Sequence, residues 1–220
     1  QIDAKGVATI TAFDIDNGSY DNATPSKNLV FSVDKTTFNC SDLGVNEVEL
    51  TVTDLEGNPA RNTAQITVED IIAPTAKSLR ALTYDLNDTS GIVNLTPEDI
   101  NDGSSDNCDI QLMTIDPATF TMPGVYEVTL TVTDGSSNTA TCNFDVLVSD
   151  NTSPTISCPE DQEESVDVNC NFTLPDYTSL ATAADNCSDV TVTQLPAPGT
   201  VVDLGSTTIV LTATDGASNT

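Results

Sequence analysis

The sequence repeats itself, and the length of the repeat limits the folds open to it. The pattern NEVELTVTD at Asn46–Asp54 returns as VYEVTLTVTD at Val125–Asp134 and as STTIVLTATD at Ser206–Asp215. The closing Asp residues stand 80 (134 − 54) and 81 (215 − 134) positions apart, and each is followed four residues on by Asn: Asn58, Asn138 and Asn219. Repetition at a fixed period indicates an array of like units. It predicts three modules, the first lacking most of its first strand and the third its last: residues 1–70, 71–150 and 151–220.

Within each repeat, apolar and polar residues alternate with a period of two, which is typical of a half-buried antiparallel strand. The residues expected to face inward are Val48, Leu50, Val52, Val128, Leu130, Val132, Ile209, Leu211 and Ala213. Clusters of Asp, Asn, Gly, Ser and Pro separate these segments as turns. The pattern predicts an all-β chain of tandem immunoglobulin-like β-sandwich modules arranged as an extended rod.

The charge balance excludes several classes of function. The chain has 34 Asp and Glu, 6 Lys and Arg and no His, for a formal net charge of -28. Without His it lacks the usual general base and the commonest metal ligand, so we expect no enzyme. So few cations argue against partners that are nucleic acids. No apolar run approaches the roughly 20 residues of a membrane span, so no direct membrane insertion is expected.

Six Cys without His indicate disulfides and an oxidising compartment. Cys142 lies in phase with the inward residues of its strand, which predicts a Cys108–Cys142 bond. Cys158 and Cys170 fall on successive short strands, which predicts a second bond between them. Cys40 and Cys187 have no matching cysteine within their own modules, and a bond from Cys40 to another module is the alternative. The sequence opens at Gln1 without the basic and apolar regions of a signal peptide, so we expect a fragment of a mature secreted chain.

Acidic residues recur at the predicted turns and linkers. In an immunoglobulin-like order, the B–C and F–G loops lie at the end of the module where the preceding linker enters. We therefore expect convergence at the first junction of Asp70, Asp102, Asp106 and Asp134, and at the second of Asp150, Asp185 and Asp215. Calcium prefers six to eight oxygen ligands, so these residues are candidate ligands for a structural calcium ion. The alternative is that Asp, Asn and Gly simply form turns.

Several motifs of the third module resemble the hyalin repeat (HYR) family: Ser157–Pro159, Asn169–Cys170, Ala184–Cys187, Pro196–Gly199 and Thr212–Thr220. The earlier modules resemble repeats of giant cell-surface adhesins of gliding Bacteroidetes, exported by type IX secretion, at Ala8–Ala12, Asp16–Ser19, Asp34–Phe38 and Leu50–Asp54. The resemblance implies an immunoglobulin-like fold, an extracellular location at the cell surface and a role in adhesion. It also implies a disulfide from the Asp-Asn-Cys position to a partner near Cys40, a pattern that Ala23 and Met122 break here.

Three functions remain open for such a chain. The first is a structural stalk segment of a secreted adhesin that supports surface attachment or gliding motility, with neighbouring repeats of the same chain as its partners. The second is a module that binds surface polysaccharide or cell-surface machinery. Here Tyr20 is the one aromatic residue expected to be exposed, while Phe13 and Phe31 are expected in the core. The third is an accessory module of a secreted enzyme.

Overall fold

The chain is described by a computed structural model that covers residues 1–86 and 91–220. Its regular structure is almost entirely strand, which confirms the all-β prediction. The strands are β1 Val7–Thr9, β2 Val30–Val33, β3 Thr37–Asn39, β4 Gly44–Thr53, β5 Pro59–Val68, β6 Leu82–Asp85, β7 Val93–Asn94, β8 Ile110–Asp116, β9 Thr119–Phe120, β10 Gly124–Asp134, β11 Thr139–Ser149, β12 Thr155–Ser157, β13 Asn171–Thr173, β14 Thr182–Ala184, β15 Thr191–Leu195, β16 Val201–Asp203 and β17 Val210–Thr214.

In the part of the chain that the structure describes, helical structure is limited to short turns. These are the one-turn helices α1 Ala12–Ile15 and α2 Pro97–Ile100, and 3-10 turns at Ser26–Asn28, Cys40–Asp42 and Thr178–Leu180. Within the described ranges, no helix has the length and apolar character needed to cross a membrane.

The chain forms two compact units. The first comprises Gln1–Ser78, Asn101–Thr114 and Leu130–Cys142, and the second comprises Leu79–Ile100, Ile115–Thr129 and Asn143–Thr220. Strands β8, β10 and β11 therefore contribute residues to both units. The division at residues 70 and 150 that the repeats indicate stays a prediction.

In the first unit, β1 pairs with β3 while β2, β4 and β5 form a three-stranded antiparallel sheet. The alternation in β4 places Val48 and Leu50 inward, as predicted. Val48 joins Ile2, Phe38 and Val68 in a buried cluster. Cys40 and Cys108, which belong to the loops nearby, pack against this cluster.

The middle strands repeat this plan. The sheet order is β6-β11-β10-β8, with β6 parallel to β11, and β7 pairs separately with β9. Three inward residues of β10 are fully buried: Val128, Leu130 and Val132. Because an immunoglobulin-like sandwich sets C, F and G in one sheet and B with E in the other, β8, β10 and β11 occupy the C, F and G places, and β7 and β9 those of B and E.

The last strands show the same pairings again. In the second unit β13 pairs with β16 in the B–E manner, and β15 with β17 in the C–F manner. Before them, β12 pairs with β14, which follows the B strand. The isolated bridge between Thr75 and Ser105 is the counterpart of that pairing in the first unit. In both places the segment that follows Asp70 or Asp150 pairs with the residues just before Asp106 or Asp185. This pairing brings the acidic residues of the two segments close together.

The cysteine pairing differs from the prediction. Cys108 is bonded to Cys40, with the Cα atoms 5.5 Å apart, and not to Cys142. Both bonded residues pack against the cluster around Phe38, whereas Cys142 lies in β11 with its sulfur 2.8 Å from Ser78 Oγ. The Cys108–Cys142 prediction was wrong because Cys108 packs, together with Cys40, against the buried cluster that contains Phe38, whereas Cys142 lies beside Ser78.

The second predicted bond, Cys158–Cys170, is also wrong. Both residues are exposed thiols. Cys158 follows β12 and Cys170 precedes β13, and these strands belong to different two-stranded sheets. Strands that are successive in sequence are therefore not neighbours here, and the two sulfurs are not brought together.

One aromatic prediction also needs correction. Phe13 is 72% exposed, although its position among apolar residues predicted a core side chain. It lies in α1, where Ala12 takes the inward position and Phe13 stacks outside against Phe31, with ring centroids 5.0 Å apart. Tyr20 is 85% exposed, as expected.

Candidate metal centres

The same turn occurs three times, at the ends of β4, β10 and β17. At the end of β10, Asp134 Oδ1 accepts hydrogen bonds from the backbone N–H groups of Ser136 and Asn138 at 2.9 and 2.8 Å. The side-chain amide of Asn138 donates to Asp134 Oδ2 at 2.7 Å. The pairs Asp54–Asn58 and Asp215–Asn219 form the same two contacts. Asp and Asn side chains favour such local bonds to nearby backbone, which is why this pair recurs at the turn.

In the first unit this turn also holds the linker. Asn138 Nδ2 donates to the carbonyl oxygens of Asp70 and Ile72 at 3.1 and 3.4 Å. Asp70 Oδ1 accepts in turn from the N–H of Ile72 at 3.1 Å. Asp70 and Asp134 are consequently both buried, at 6% and 0% exposure.

The B–C loop supplies a third carboxylate. Asp106 Oδ2 accepts from the N–H of Cys108 at 2.9 Å, which closes a tight turn. Between them, Asn107 Nδ2 donates to Asp70 Oδ1 at 3.2 Å. One carboxylate oxygen from each of Asp70, Asp106 and Asp134 lies within 4.8 Å of the others. We call these three residues the first acidic cluster.

The electrostatics of the first acidic cluster favour a cation. Asp70 Oδ2 and Asp106 Oδ1 are buried and have no hydrogen-bond partner. A buried, uncompensated carboxylate is costly, and two of them close together cost more. Oxygen ligands of this kind suit hard divalent cations such as calcium or magnesium. The residues present therefore fit a hard divalent cation, of which calcium is one.

The second unit contains a related group, which we call the second acidic cluster: Asp150, Asp185 and Cys187. Asp150 is 5% exposed, and its Oδ1 accepts from the N–H of Thr152 at 3.1 Å. Asn219 Nδ2 donates to the Asp150 carbonyl at 3.1 Å, as Asn138 does to Asp70. In both units, therefore, the side-chain amide of the turn Asn donates to a backbone carbonyl of the linker, a contact that we call the linker clasp.

The second acidic cluster differs in holding a thiol. Cys187 Sγ donates to Asp150 Oδ2 at 3.0 Å. Burial, this hydrogen bond and the charges of Asp150 and Asp185 raise the pKa of Cys187 to about 12. Burial acts to raise the pKa of Asp185 as well, but hydrogen bonds from Cys187 and Ser188 outweigh it and leave the pKa lowered. The thiol is therefore protonated at neutral pH.

The predicted ligands are only partly brought together. Asp70, Asp106 and Asp134 meet, and so do Asp150 and Asp185. Asp215 is buried but gives its oxygens to the Asn219 turn and is not a member of the second acidic cluster. Asp102 is exposed and belongs to neither cluster, and its backbone N–H donates to Lys77 O at 3.0 Å.

Sequence reasoning missed Asn107, Asn138, Asn219 and Cys187 as members of these sites. The signal was present, since the Asn residues recur in register with the Asp residues they bond. The other acidic residues of the Asp-rich loops form local turns. Asp14, Asp16 and Asp21 accept hydrogen bonds from Thr11, Ser19 and Thr24, respectively, within three residues along the chain. For them the turn interpretation is correct.

No protein-family model matches the sequence, and no curated protein matches it either. Among solved structures, the chain is similar to a protocadherin gamma B4 extracellular domain, with 16% identity and a TM-score of 0.31. It is also similar to extracellular cadherin domains 1–4 of protocadherin gamma B7, with 12% identity and a TM-score of 0.30. These matches cover 87% and 90% of this chain, which spans 39% and 66% of those structures.

Proposed function

We propose that this chain is a structural stalk segment of a secreted adhesin, made of three immunoglobulin-like modules whose junctions are stiffened by calcium. The observation that carries the proposal is the first acidic cluster, where buried carboxylate oxygens of Asp70 and Asp106 lack partners. A site that joins linker, B–C loop and F–G turn restrains a module junction. Such restraint serves a stalk better than it serves catalysis.

The recurrence of the linker clasp supports the same proposal. Asn138 and Asn219 lie in the F–G turns of the second and third predicted modules, and each donates to the carbonyl of the last residue of the preceding predicted module. The resemblance to HYR modules and to adhesins of gliding bacteria suggests the cell surface as the location. It also suggests type IX secretion as the export route and attachment or gliding motility as the context.

The cation part is tested by calorimetric titration of calcium into the chelator-treated chain, combined with thermal unfolding. We expect measurable heat and a higher melting temperature in calcium. Titration of an Asp70→Asn, Asp106→Asn double variant is the matched control and loses the response. Absence of heat and of any shift at millimolar calcium contradicts calcium binding.

The stalk part is tested by small-angle scattering in calcium. A compact chain of 220 residues has a radius of gyration of roughly 17 Å. Three modules in a rod give a much larger value and an elongated distance distribution. A radius near that of the compact chain contradicts a stalk, whatever the result of the calcium titration.

A second candidate function is glycan binding at an exposed aromatic group. Phe13 and Tyr20 are both strongly exposed. Aromatic faces with nearby polar groups suit sugar recognition, and the surrounding loop supplies Asp16 and Ser19. Binding on a glycan array that is lost in a Phe13→Ala, Tyr20→Ala variant and kept in Val30→Ala favours this function over a passive stalk.

A further inference from the structure

The Cys40–Cys108 disulfide stands next to the first acidic cluster in sequence and in space. Cys108 follows Asp106 and Asn107 directly, and its N–H donates to Asp106 Oδ2. One short turn thus carries a carboxylate of the cluster, the amide that orients Asp70, and a sulfur anchored to Cys40. If this turn moves, the Asp106 carboxylate moves with it, and the Asn107 amide that holds Asp70 is displaced as well.

The packing around the disulfide leaves this turn little room. Cys40 Sγ lies 3.6 Å from the carbonyl oxygen of Asn107. Gly6 lies against both, since a Cβ on Gly6 would come within 2.7 Å of Asn107 O and of Cys40 Sγ. The Asn107 side chain also reaches Asp3 O at 3.4 Å. The bonded sulfur of Cys40 therefore helps to fix the backbone of Asn107 in place.

The cluster also has a feature that points to a ligand independently of its charge. Asp70 is 94% buried, and its Oδ2 has no hydrogen-bond partner while Oδ1 is held by Asn107 and Ile72. A carboxylate fixed by one oxygen, with the other oxygen buried and unused, is oriented toward a cation.

We infer that the Cys40–Cys108 disulfide sets the cation affinity of the first acidic cluster, so that the redox state of this bond regulates calcium binding. The inference rests on the calcium site proposed above. With the disulfide formed, Asp106 and Asn107 are held in place before the ion arrives, and binding orders few additional groups. With two thiols, the turn is held only by hydrogen bonds, and part of the binding free energy is used to order it.

The redox step is ordinary thiol–disulfide exchange with a dithiol. A thiolate of the dithiol attacks one sulfur and forms a mixed disulfide, and its second thiol then displaces the other protein sulfur. The S–S bond between Cys40 and Cys108 breaks, the protein gains two electrons and two protons as two thiols, and the dithiol leaves as a cyclic disulfide. No other reactant is needed.

Linkage fixes a second consequence. If the disulfide increases calcium affinity by some factor, calcium must make the disulfide harder to reduce by the same factor. Couplings between two sites in one protein are typically about 5-fold to 150-fold. The two quantities are measured in different ways, and their agreement is a demanding check.

The first experiment compares calcium affinity by calorimetry in a background carrying Asp185→Asn, which removes a carboxylate of the second acidic cluster. The oxidised chain is compared with a Cys40→Ser, Cys108→Ser variant. A Cys158→Ser, Cys170→Ser variant controls for the loss of two cysteines, because these thiols are exposed and unbonded. We expect the first variant to bind calcium at least about fivefold more weakly and the control to bind it unchanged.

The outcomes separate the two proposals. If the oxidised chain binds no calcium, the calcium site itself is refuted. If the oxidised chain and the Cys40→Ser, Cys108→Ser variant bind calcium equally well, the site stands and the redox inference is overturned.

The second experiment needs no variant, and so it remains decisive if the double variant fails to fold. The native chain is equilibrated with dithiothreitol in calcium or in chelator, and the Cys40–Cys108 bond is quantified by thiol trapping and peptide mass mapping. We expect the equilibrium constant for reduction to be smaller in calcium by the factor found in the calorimetry. An equilibrium constant that does not depend on calcium overturns the inference.

Discussion

The buried acids use their two oxygens differently, and this difference decides which of them need a cation. Both oxygens of Asp134 accept hydrogen bonds from the turn that follows it. Asp70 and Asp106 each have one oxygen satisfied and one without a partner. Asp134 is therefore mainly a structural residue of the turn, while Asp70 and Asp106 gain most from a bound ion.

The first prediction concerns Asp70. In chelator, Asp70→Asn should raise the melting temperature, because it removes a buried negative charge that lies close to two others. In calcium the order should reverse. Calcium at about 100 times its dissociation constant stabilises the native chain by roughly 2.7 kcal/mol, and the variant should lose most of that gain. Thermal unfolding in both buffers measures the reversal.

The matched control for this prediction is Asp102→Asn. Asp102 is exposed and stands outside both clusters, so the melting temperature of its variant should follow that of the native chain in both buffers. A reversal as large for Asp102→Asn as for Asp70→Asn would mean that calcium acts through general charge screening rather than through a site.

At the scale of elements, the two acidic clusters are variants of one arrangement. Gly91 lies against the turn of Cys187 as Gly6 lies against that of Cys108, with an added Cβ meeting Asn186 O in one case and Asn107 O in the other. Phe120 pairs with Val93 as Phe38 pairs with Ala8. By this register, Met122 occupies the place of Cys40.

The second prediction follows from this register. Met122→Cys should form a disulfide with Cys187, because Met122 follows Phe120 by two residues as Cys40 follows Phe38, and Cys187 has the place that Cys108 has in the Cys40–Cys108 bond. The bond would close a loop of about 65 residues and stabilise the chain by about 4 kcal/mol. Mass spectrometry of the peptides released by a protease that cuts after Glu, and unfolding with and without reductant, measure it.

Thr121→Cys is the control for this prediction, because adjacent residues of an extended segment point to opposite sides. It should retain its thiol. Equal bonding by both variants would show that the segment is too loose for register to matter, and no bonding by Met122→Cys would refute the equivalence of Met122 and Cys40.

The third prediction concerns the one-turn helices. Thr11 donates to Asp14 Oδ2 through both its N–H and its hydroxyl, and Thr96 does the same to Asp99. These hydrogen bonds lower the pKa of both carboxyls below the ordinary value of 3.8. A lowered folded-state pKa means that the stabilisation is present above 3.8 and is lost as the pH falls through the folded-state pKa.

Asp14→Ala and Asp99→Ala should therefore each destabilise the chain at neutral pH, and the difference from the native chain should shrink below a pH of about 3.8. Urea unfolding at pH 7 and pH 3 measures this. A difference that is as large at pH 3 as at pH 7 would mean that packing, rather than the charged acceptor, accounts for the effect.

Particular residues show how far the sequence alone reaches. Alternation placed Val128, Leu130 and Val132 inward, and all three are fully buried, because strand geometry is a local property. Loop topology brought Asp70, Asp106 and Asp134 together. It failed for Asp102, which is exposed, and for Cys108, whose partner depends on which neighbouring surface the turn contacts. Such choices are made by tertiary packing, which the pattern of one strand does not encode.

At the scale of the whole molecule, charge opposes folding. The chain has 34 acidic residues and only six basic ones. The ion pairs within the described residues are Lys35–Asp42 and Arg61–Glu49. Self-repulsion of this size destabilises a compact state and also keeps molecules apart. Stability should therefore depend on ionic strength even where no ion is bound at a specific site.

The fourth prediction is that, in chelator, the melting temperature rises as sodium chloride is increased from about 10 mM to about 150 mM, since the screening length falls from roughly 30 Å to roughly 8 Å. A neutral osmolyte at equal osmolality is the control and should not reproduce the size of the rise. A melting temperature that stays constant or falls would mean that the carboxylates are spaced too widely to repel one another.

The Cys40–Cys108 bond also has a mechanical consequence. The bond bridges a sequence separation of 68 residues, which includes all of β4 and β5. Tension applied to the two ends of the chain passes from one sulfur to the other, so this segment bears no load and cannot be pulled straight. Reduction would release about 230 Å of hidden length, at roughly 3.4 Å per extended residue. In the stalk proposed above, the oxidised bond would keep this segment out of the loaded path, and reduction would give the stalk a reserve of extension.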